Sequence, residues 1–233
     1  MAHGALKVAT FDCYGTLIDW EGGAASFLYD LALRHEENPK ENGDAMRRRW
    51  ETIQFEIIQG AYKPYKQVLA ESLRAWMTER GYPWDDSLGP ALVRSMRSWQ
   101  PFPDTKPALE QARAAGMKLY ILSNTDRDII AHSLKHIDVP FDGVVTAEDC
   151  GSYKPSLNNF HRLMEVTQVA PQETLHVAFG FKYDIGPSNS LGMESAWINR
   201  HVEATPAGAV PTYNWRDLWG LAEYAGNTGP GIP

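Results

Sequence analysis

Cysteine is scarce in this chain: the 233 residues include two, Cys13 and Cys150, and they form no CxxC pair. Zinc sites and dithiol redox motifs need closely spaced cysteines, so the sequence encodes neither of these sites. Two distant cysteines are typical of proteins kept in a reducing compartment, and we therefore expect a cytoplasmic protein.

Long apolar runs and blocks of like charge are also missing. No stretch approaches the roughly 18 apolar residues of a membrane-spanning helix, and the N-terminal segment has no extended hydrophobic region of the signal-peptide type. The 29 acidic and 22 basic residues give a net charge of -7 and are dispersed along the chain. This pattern argues against a nucleic-acid partner, and we expect no membrane partner either.

The chain alternates short apolar runs with helical patterns. The strand-like runs are 6–11, 118–122, 143–146, 174–179 and 194–198, and the main helical patterns between them are 104–116, 127–136 and 157–168. This alternation predicts a Rossmann-like, doubly wound parallel sheet of the α/β class. Ligands of such sheets bind beyond the carboxyl ends of the strands, so side chains that directly follow a strand are candidates for a functional site.

Residues 20–100 differ from the rest because they show helical stripes and no convincing strand. We predict a helical cap domain over 20–100, inserted into a core domain formed by 1–19 and 101–233. Aromatic residues in the stripes, such as Trp50, are more typical of ordinary core packing than of ligand contact. The tail, residues 226–233, is predicted to be flexible.

The first of four chemical motifs is FDCYGT, residues 11–16, at the end of the first predicted strand. Gly15 allows the backbone to approach a ligand closely, and the Thr16 hydroxyl can steady the carboxylate of Asp12. The same aspartate could instead do no more than order the turn.

Three further motifs follow later in the chain. Ser123 and Asn124 could bind a substrate oxygen or cap a helix. Lys154, in the sequence YKP, could neutralise a nucleophilic carboxylate or lie on the solvated surface. Asp184 could pair with Lys154 or supply a charge at a helix N-terminus. The topology would bring all four motifs to one end of the sheet, which favours a shared catalytic site.

In this order the motifs resemble the four signatures of the haloacid dehalogenase superfamily, over nearly the whole chain. FDCYGT, ILSN, YKP and the later WINR segment are similar to the type II 2-haloacid dehalogenase branch. The resemblance implies that Asp12 is a covalent nucleophile, that Lys154 holds it ionised, and that Asp184 orients or deprotonates water. The groups that would position the nucleophile and the substrate carboxylate are Thr16, Ser123, Asn124 and the amides of Cys13 and Tyr14.

Two departures from the phosphatases of this superfamily imply a reaction without metal or other cofactor. The second aspartate of those phosphatases is replaced here by Tyr14, and the metal-binding aspartate of their fourth motif by Phe179. Phosphate transfer without magnesium would lack its main charge neutraliser, which disfavours a phosphatase. An inactive binding homologue is disfavoured because Asp12, Lys154 and Asp184 are all present.

The implied reaction displaces a leaving group from C2 of a small carboxylic acid through an aspartyl ester that water opens. An (S)-2-haloacid dehalogenase is the leading interpretation, and relatives of this kind are often homodimers. The residues expected to contact substrate, besides those of the first two motifs, are Trp50, Glu51, Phe179 and Phe181.

Glu51 sets this chain apart within the branch, whose members carry a halide-binding arginine at the matching position of the cap. A carboxylate repels a halide, although Arg48 or Arg49 could substitute if the helix register is shifted. An acidic residue would suit a departing amine, so ring opening of L-azetidine-2-carboxylate is the alternative substrate hypothesis. Glu51 could also be a plain solvent-facing helix residue.

Overall fold

A computed structural model describes residues 6–36 and 38–228 of the chain, so the end of the tail predicted to be flexible lies outside it. The strands are β1 (Val8–Phe11), β2 (Lys118–Ser123), β3 (Gly143–Thr146), β4 (Thr174–Ala178), β5 (Glu194–Ile198) and β6 (Tyr213–Trp215). They form one parallel sheet in the order β3-β2-β1-β4-β5-β6. The predicted α/β class and doubly wound parallel sheet are confirmed.

Helices connect the strands and cover the sheet. They are α1 (Trp20–Ala32), α2 (Gly43–Ile58), α3 (Tyr65–Glu79), α4 (Leu88–Met96), α5 (Thr105–Ala114), α6 (Arg127–Ile137), α7 (Ala147–Cys150), α8 (Leu157–Thr167), α9 (Gly186–Ser190) and α10 (Trp219–Thr228). A 3-10 turn at Pro171–Glu173 precedes β4, and a π-helical turn at Phe181–Ile185 follows it. None of the helices within the described ranges is long and apolar enough to cross a membrane.

The five predicted strands are present, with bounds that differ by at most two residues. The sixth, β6, escaped prediction because it is three half-exposed or exposed residues long and carries no apolar run. The sequence also placed Asp184 at the start of a helix. This prediction is wrong, because Asp184 lies inside the π-helical turn that precedes α9.

The helices α1 to α4 form the insertion between β1 and α5. Trp20 of α1 stacks on Trp50 of α2, with ring centroids 6.1 Å apart, and the Trp50 indole N–H donates to Ser72 Oγ of α3 at 3.0 Å. Buried apolar residues of the insertion and of the sheet form one continuous cluster. The division into two separate domains stays a prediction.

Helix α2 matters most for the site because it presents adjacent faces to the core and to the sheet end. Its first turn is capped by Asn42, whose side chain accepts the Ala45 N–H at 2.9 Å. Met46, Trp50 and Ile53 recur at helical spacing and are buried against the other insertion helices. Glu51, Gln54 and Ile58, which lie beside this stripe, are thereby turned toward the carboxyl ends of the strands.

Candidate active site

A cavity of about 90 Å³ lies between the carboxyl ends of the central strands and the insertion. Its wall is formed by Asp12, Tyr14, Trp20, Glu51, Gln54, Ile58, Tyr65, Ser123, Asn124, Tyr153, Lys154, Phe179, Gly180, Tyr183 and Asp184. The parallel register aligns β1 with both neighbours, pairing Phe11 with Ile121 and Val177. Asp12 therefore emerges between β2 and β4, and the four motifs meet here.

Lys154 is the electrostatic centre of the site. Its side chain is 1% exposed, and its Nζ donates to Asp12 Oδ1 at 2.9 Å, to Asp184 Oδ1 at 2.7 Å and to the Leu122 carbonyl at 2.9 Å. These three acceptors use all three ammonium hydrogens. The ammonium is thus held between the two carboxylates at a defined position.

The other oxygen of Asp12 is fixed by Thr16. The Thr16 hydroxyl accepts the Phe179 N–H at 2.9 Å, so its own hydrogen is directed to Asp12 Oδ2 at 2.8 Å. Gly15 makes this turn with a φ of +93°, and a β-carbon there would lie 2.8 Å from the Phe179 ring. Glycine is required on both counts, which explains the spacing of the FDCYGT motif.

Asp184 is hydrogen-bonded to a histidine of the sheet that the sequence motifs did not reveal. His176 of β4 is fully buried, and its Nε2 lies 3.0 Å from Asp184 Oδ1 while its Nδ1 lies 2.8 Å from Thr10 Oγ1. Because the Asp184 carboxylate can only accept, Nε2 is the donor. Thr10 and His176 therefore hold Asp184 in place from within the sheet.

Burial and charge set the protonation of the three central groups. Burial raises the pKa of Asp12 above its ordinary 3.8, a shift that Lys154 opposes and the charge of Asp184 reinforces. For Lys154, burial would lower the pKa, but the two carboxylates outweigh it and raise the pKa above 10.5. For Asp184, burial is outweighed by Lys154 and His176, which lower its pKa below 3.8. A charged lysine and an ionised Asp184 follow at neutral pH.

Hydrogen-bond donors without protein acceptors surround Asp12. Ser123 Oγ is buried without a partner in the described chain, and no acceptor for the amides of Cys13 and Tyr14 is found among the described residues. Asn124 was predicted to position the nucleophile and the substrate, but its side chain binds the backbone of Lys154. Its Oδ1 accepts the Lys154 N–H at 2.7 Å and its Nδ2 donates to the Lys154 carbonyl at 3.0 Å. Its main contact holds the lysine backbone, which leaves one amide hydrogen for a ligand.

A family model described as haloacid dehalogenase-like hydrolase matches residues 6–178. The chain belongs to the haloacid dehalogenase-like hydrolases. It is 27% identical over 222 residues to an (S)-2-haloacid dehalogenase of Pseudomonas putida, covering 92% of this chain and 95% of the relative. It is similarly 27% identical over 231 residues to an (S)-2-haloacid dehalogenase of Pseudomonas fluorescens, covering 96% and 98%.

Solved structures of the same family share the fold. The crystal structure of one L-2-haloacid dehalogenase superposes with a TM-score of 0.82 at 24% identity, covering 95% of this chain and 99% of the other. That of the Xanthobacter autotrophicus L-2-haloacid dehalogenase with chloropropionic acid covalently bound gives a TM-score of 0.77 at 22% identity, covering 94% and 97%. The hydrolase therefore shares the fold of these structures over nearly its whole length.

The insertion gives the hydrolase a cavity wall that differs from the prediction at several residues. Trp50 lies behind Trp20 in the core and outside the cavity wall. Phe181 packs on Trp197 with ring centroids 5.2 Å apart and lines a neighbouring cavity instead. The Cys13 side chain is fully buried, and burial raises the pKa of its thiol well above 9.0, so it can contribute its amide but no thiolate.

Glu51 does line the cavity, and its charge is partly balanced from the same helix. Arg47 Nη1 donates to Glu51 Oε2 at 2.8 Å, and its Nη2 lies 2.8 Å from both Glu21 and Asp44. The two arginines considered as substitutes for a halide-binding residue point elsewhere. Arg48 is exposed beside Asp44, and Arg49 pairs with Glu79 of α3.

Sequence reasoning missed several cavity residues of the hydrolase. Gln54 and Ile58 lie three and seven residues after Glu51, so helical periodicity from Glu51 could have identified them. Tyr153 and Tyr183 directly precede motif residues that were identified. His176 had one signal, a histidine within an otherwise apolar strand, and Trp20 had none.

The raised pKa of Asp12 predicts where activity is lost in acid. Asp12 must be ionised to act as the nucleophile that the sequence predicts, so kcat/KM should fall as the pH drops through a midpoint above 3.8. Lys154 should add no alkaline limb near neutrality because its pKa is raised above 10.5. A pH–rate profile checks this, with circular dichroism at each pH as the control for unfolding. A midpoint at or below 3.8 in folded protein would contradict the assignment.

Replacing His176 tests whether it positions Asp184. His176→Phe keeps a ring against Phe160 but removes both hydrogen bonds, and loss of one such bond corresponds to about a tenfold fall in kcat. KM should change little because His176 lies outside the cavity wall. His176→Gln can retain a donor to Asp184 and should recover part of the loss. Equal activity in the two variants would rule out positioning through this bond.

Proposed function

We propose that this hydrolase is an (S)-2-haloacid dehalogenase that works without a metal ion, through an ester of Asp12. The observation that carries the proposal is the Lys154 ammonium between Asp12 and Asp184, with Thr16 on the remaining Asp12 oxygen. This arrangement leaves an oriented, ionisable carboxylate facing a small cavity. The names of the relatives support the choice of substrate class.

In the first step an Asp12 oxygen attacks C2 of the substrate, and the carbon–halogen bond breaks with its electron pair leaving on the halide. The side chain of Asp12 is 12% exposed while that of Lys154 is 1% exposed. The carboxylate can therefore reach a ligand while the ammonium stays behind it. The buried ammonium also offsets the negative charges of Asp12 and of the substrate carboxylate, which lie close together before the attack.

In the second step water attacks the aspartyl carbonyl, and the acyl carbon–oxygen bond breaks to release a 2-hydroxy acid and regenerate Asp12. Asp184 Oδ1 is occupied by Lys154 and His176, so Oδ2 is the oxygen left for water. A β-carbon at Gly180 would lie 2.7 Å from Oδ2, so glycine keeps that space open. The lowered pKa of Asp184 suits it to orienting the water and to accepting a proton only transiently.

The substrate carboxylate fits the donors grouped at the strand ends. Ser123 Oγ and the amides of Cys13 and Tyr14 have no acceptor within the described chain. A carboxylate bound there would satisfy them while C2 faces Asp12. The cavity, about 90 Å³ in volume and lined in part by Ile58 and aromatic rings, suits a short acid.

One observation favours a second candidate, the hydrolysis of L-azetidine-2-carboxylate. The cavity wall contains three carboxylates, Asp12, Glu51 and Asp184, against the single ammonium of Lys154. Burial raises the pKa of Glu51 above its ordinary 4.5, although Arg47 opposes that shift. An acidic wall stabilises a departing amine better than a departing anion.

We further propose that the enzyme acts in the cytoplasm and that it forms homodimers, with a small carboxylic acid and water as its reactants. Neither a nucleic acid nor a membrane enters this proposal. The dispersed net charge of -7 and the two unpaired cysteines support this setting.

A single turnover in ¹⁸O-labelled water tests the ester route. With enzyme in excess over 2-chloropropionate, the oxygen added to the product should come from Asp12, and the label should be found in the Asp12 peptide by mass spectrometry. The Asp184 peptide should stay unlabelled and serves as the internal control. Label found in the product of the first turnover would exclude the ester.

A substrate panel without added metal separates the two candidates. We expect halide release from (S)-2-chloropropionate, with inversion at C2, in preference to the (R) form, and no comparable amine formation from L-azetidine-2-carboxylate. Removing the carboxylate in Glu51→Gln should raise 2-chloropropionate turnover by about threefold or more. Ring opening that is lost in Glu51→Gln, with no halide release, would instead support the second candidate. A phosphate ester with magnesium completes the panel.

A further inference from the structure

The geometry of displacement assigns the leaving group to the insertion. Attack on a saturated carbon is in line, so the departing group must lie on the side of C2 opposite Asp12. Asp12 belongs to the sheet end, and the facing wall comes from α1, α2 and α3. The polar side chains that α2 and α3 contribute to this wall are Glu51, Gln54 and Tyr65.

Gln54 is the one of these three with an unused hydrogen-bond donor. The residue is 7% exposed, and its Nε2 has no acceptor within the described ranges of the chain. Its Oε1 accepts the Tyr65 hydroxyl at 3.0 Å. Burial raises the pKa of Tyr65, so the hydroxyl keeps its hydrogen and fixes the amide with its oxygen toward Tyr65. The nitrogen end is thereby left for another acceptor.

The neighbouring groups cannot serve the same purpose. Glu51 presents acceptor oxygens and is bonded to Arg47. Arg47 is surrounded by three carboxylates and lines the adjacent cavity, on the other side of Glu51. The Tyr65 hydroxyl is used on Gln54. A halide leaving toward α2 therefore meets a carboxylate and one neutral amide donor.

We propose that Gln54 Nε2 donates a hydrogen bond to the departing halide and so determines which leaving groups the enzyme accepts. This inference rests on the proposed dehalogenase function. The bond strengthens as negative charge develops on the halogen, so it acts on the transition state of ester formation. A compact, charge-dense chloride gains more from such a bond than iodide does.

The test measures formation of the Asp12 ester in a single turnover, by rapid quench and mass spectrometry, for the chloro, bromo and iodo forms of 2-halopropionate. Gln54→Met preserves the length of the side chain but removes the donor. We expect the rate with the chloro substrate to fall about tenfold more than the rate with the iodo substrate. Tyr65→Phe, which releases the amide, should give a smaller loss in the same order.

Gln59→Met is the matched control, since it makes the same substitution at an exposed position directly after α2 and should leave all three rates unchanged. Circular dichroism and urea unfolding report whether each variant is folded. If Gln54→Met does not fold, Gln54→Glu keeps the shape, replaces the donor with an acceptor, and should show the same order of losses.

The outcomes separate the inference from the proposed function. Equal losses for the three halides, or no loss, in a wild-type background that releases halide would overturn the role of Gln54 and leave the dehalogenase intact. No halide release by the wild-type enzyme from any of the three substrates would overturn both.

Discussion

The buried ammonium of Lys154 is the constraint on which the rest of the site depends. Moving an isolated charge from water into a protein costs several kcal/mol, and removing one partner of a buried pair typically costs about 3–5 kcal/mol. For Lys154 the cost of desolvation is offset by three hydrogen-bond acceptors, two of which are the carboxylates of Asp12 and Asp184. The same contacts that make the lysine stable therefore fix the distance between Asp12, the proposed nucleophile, and Asp184, which is proposed to orient water.

The parallel sheet supplies this geometry with little adjustment. Asp12 follows β1 directly, while the turn with Asp184 follows β4, and the register aligns the ends of these two strands. Lys154 arrives from the far side of β2, where Asn124 clasps its backbone through two hydrogen bonds. His176 and Thr10 add rigidity from inside the sheet. These groups thus lie in short turns that the strand ends hold in place. Glycine is required at Gly15, where a ring comes close, and at Gly180, where an oxygen does.

Sequence reasoning could reach the sheet side of the site because three of the four motifs there, all but that of Lys154, lie at or after the end of a strand. The alternation of strands and helices predicts where strands end, and residues at those ends are site candidates. Asp12, Ser123 and Asp184 lie at or after the ends of β1, β2 and β4. The residues on the insertion side were harder to predict, since an apolar stripe does not show which face of the helix meets the sheet. Trp50 was therefore assigned to the substrate and lies in the core, while Gln54 on the adjacent face was passed over. Contacts made across 165 residues or more, such as Thr10 with His176, carry no local signal at all.

The two sides of the cavity also divide the chemistry. The sheet side holds Asp12, Lys154 and Asp184, and the roles proposed for these three do not depend on what leaves C2. The insertion side holds Glu51, balanced by Arg47, and the unpaired amide of Gln54. A neutral amide stabilises a departing anion less than a cation would. The proposed leaving-group preference therefore depends on two side chains, Gln54 and Glu51, and on weak interactions. The proposed mechanism therefore implies that substitutions on one face of α2 change the leaving-group preference while the ester chemistry at Asp12 stays the same.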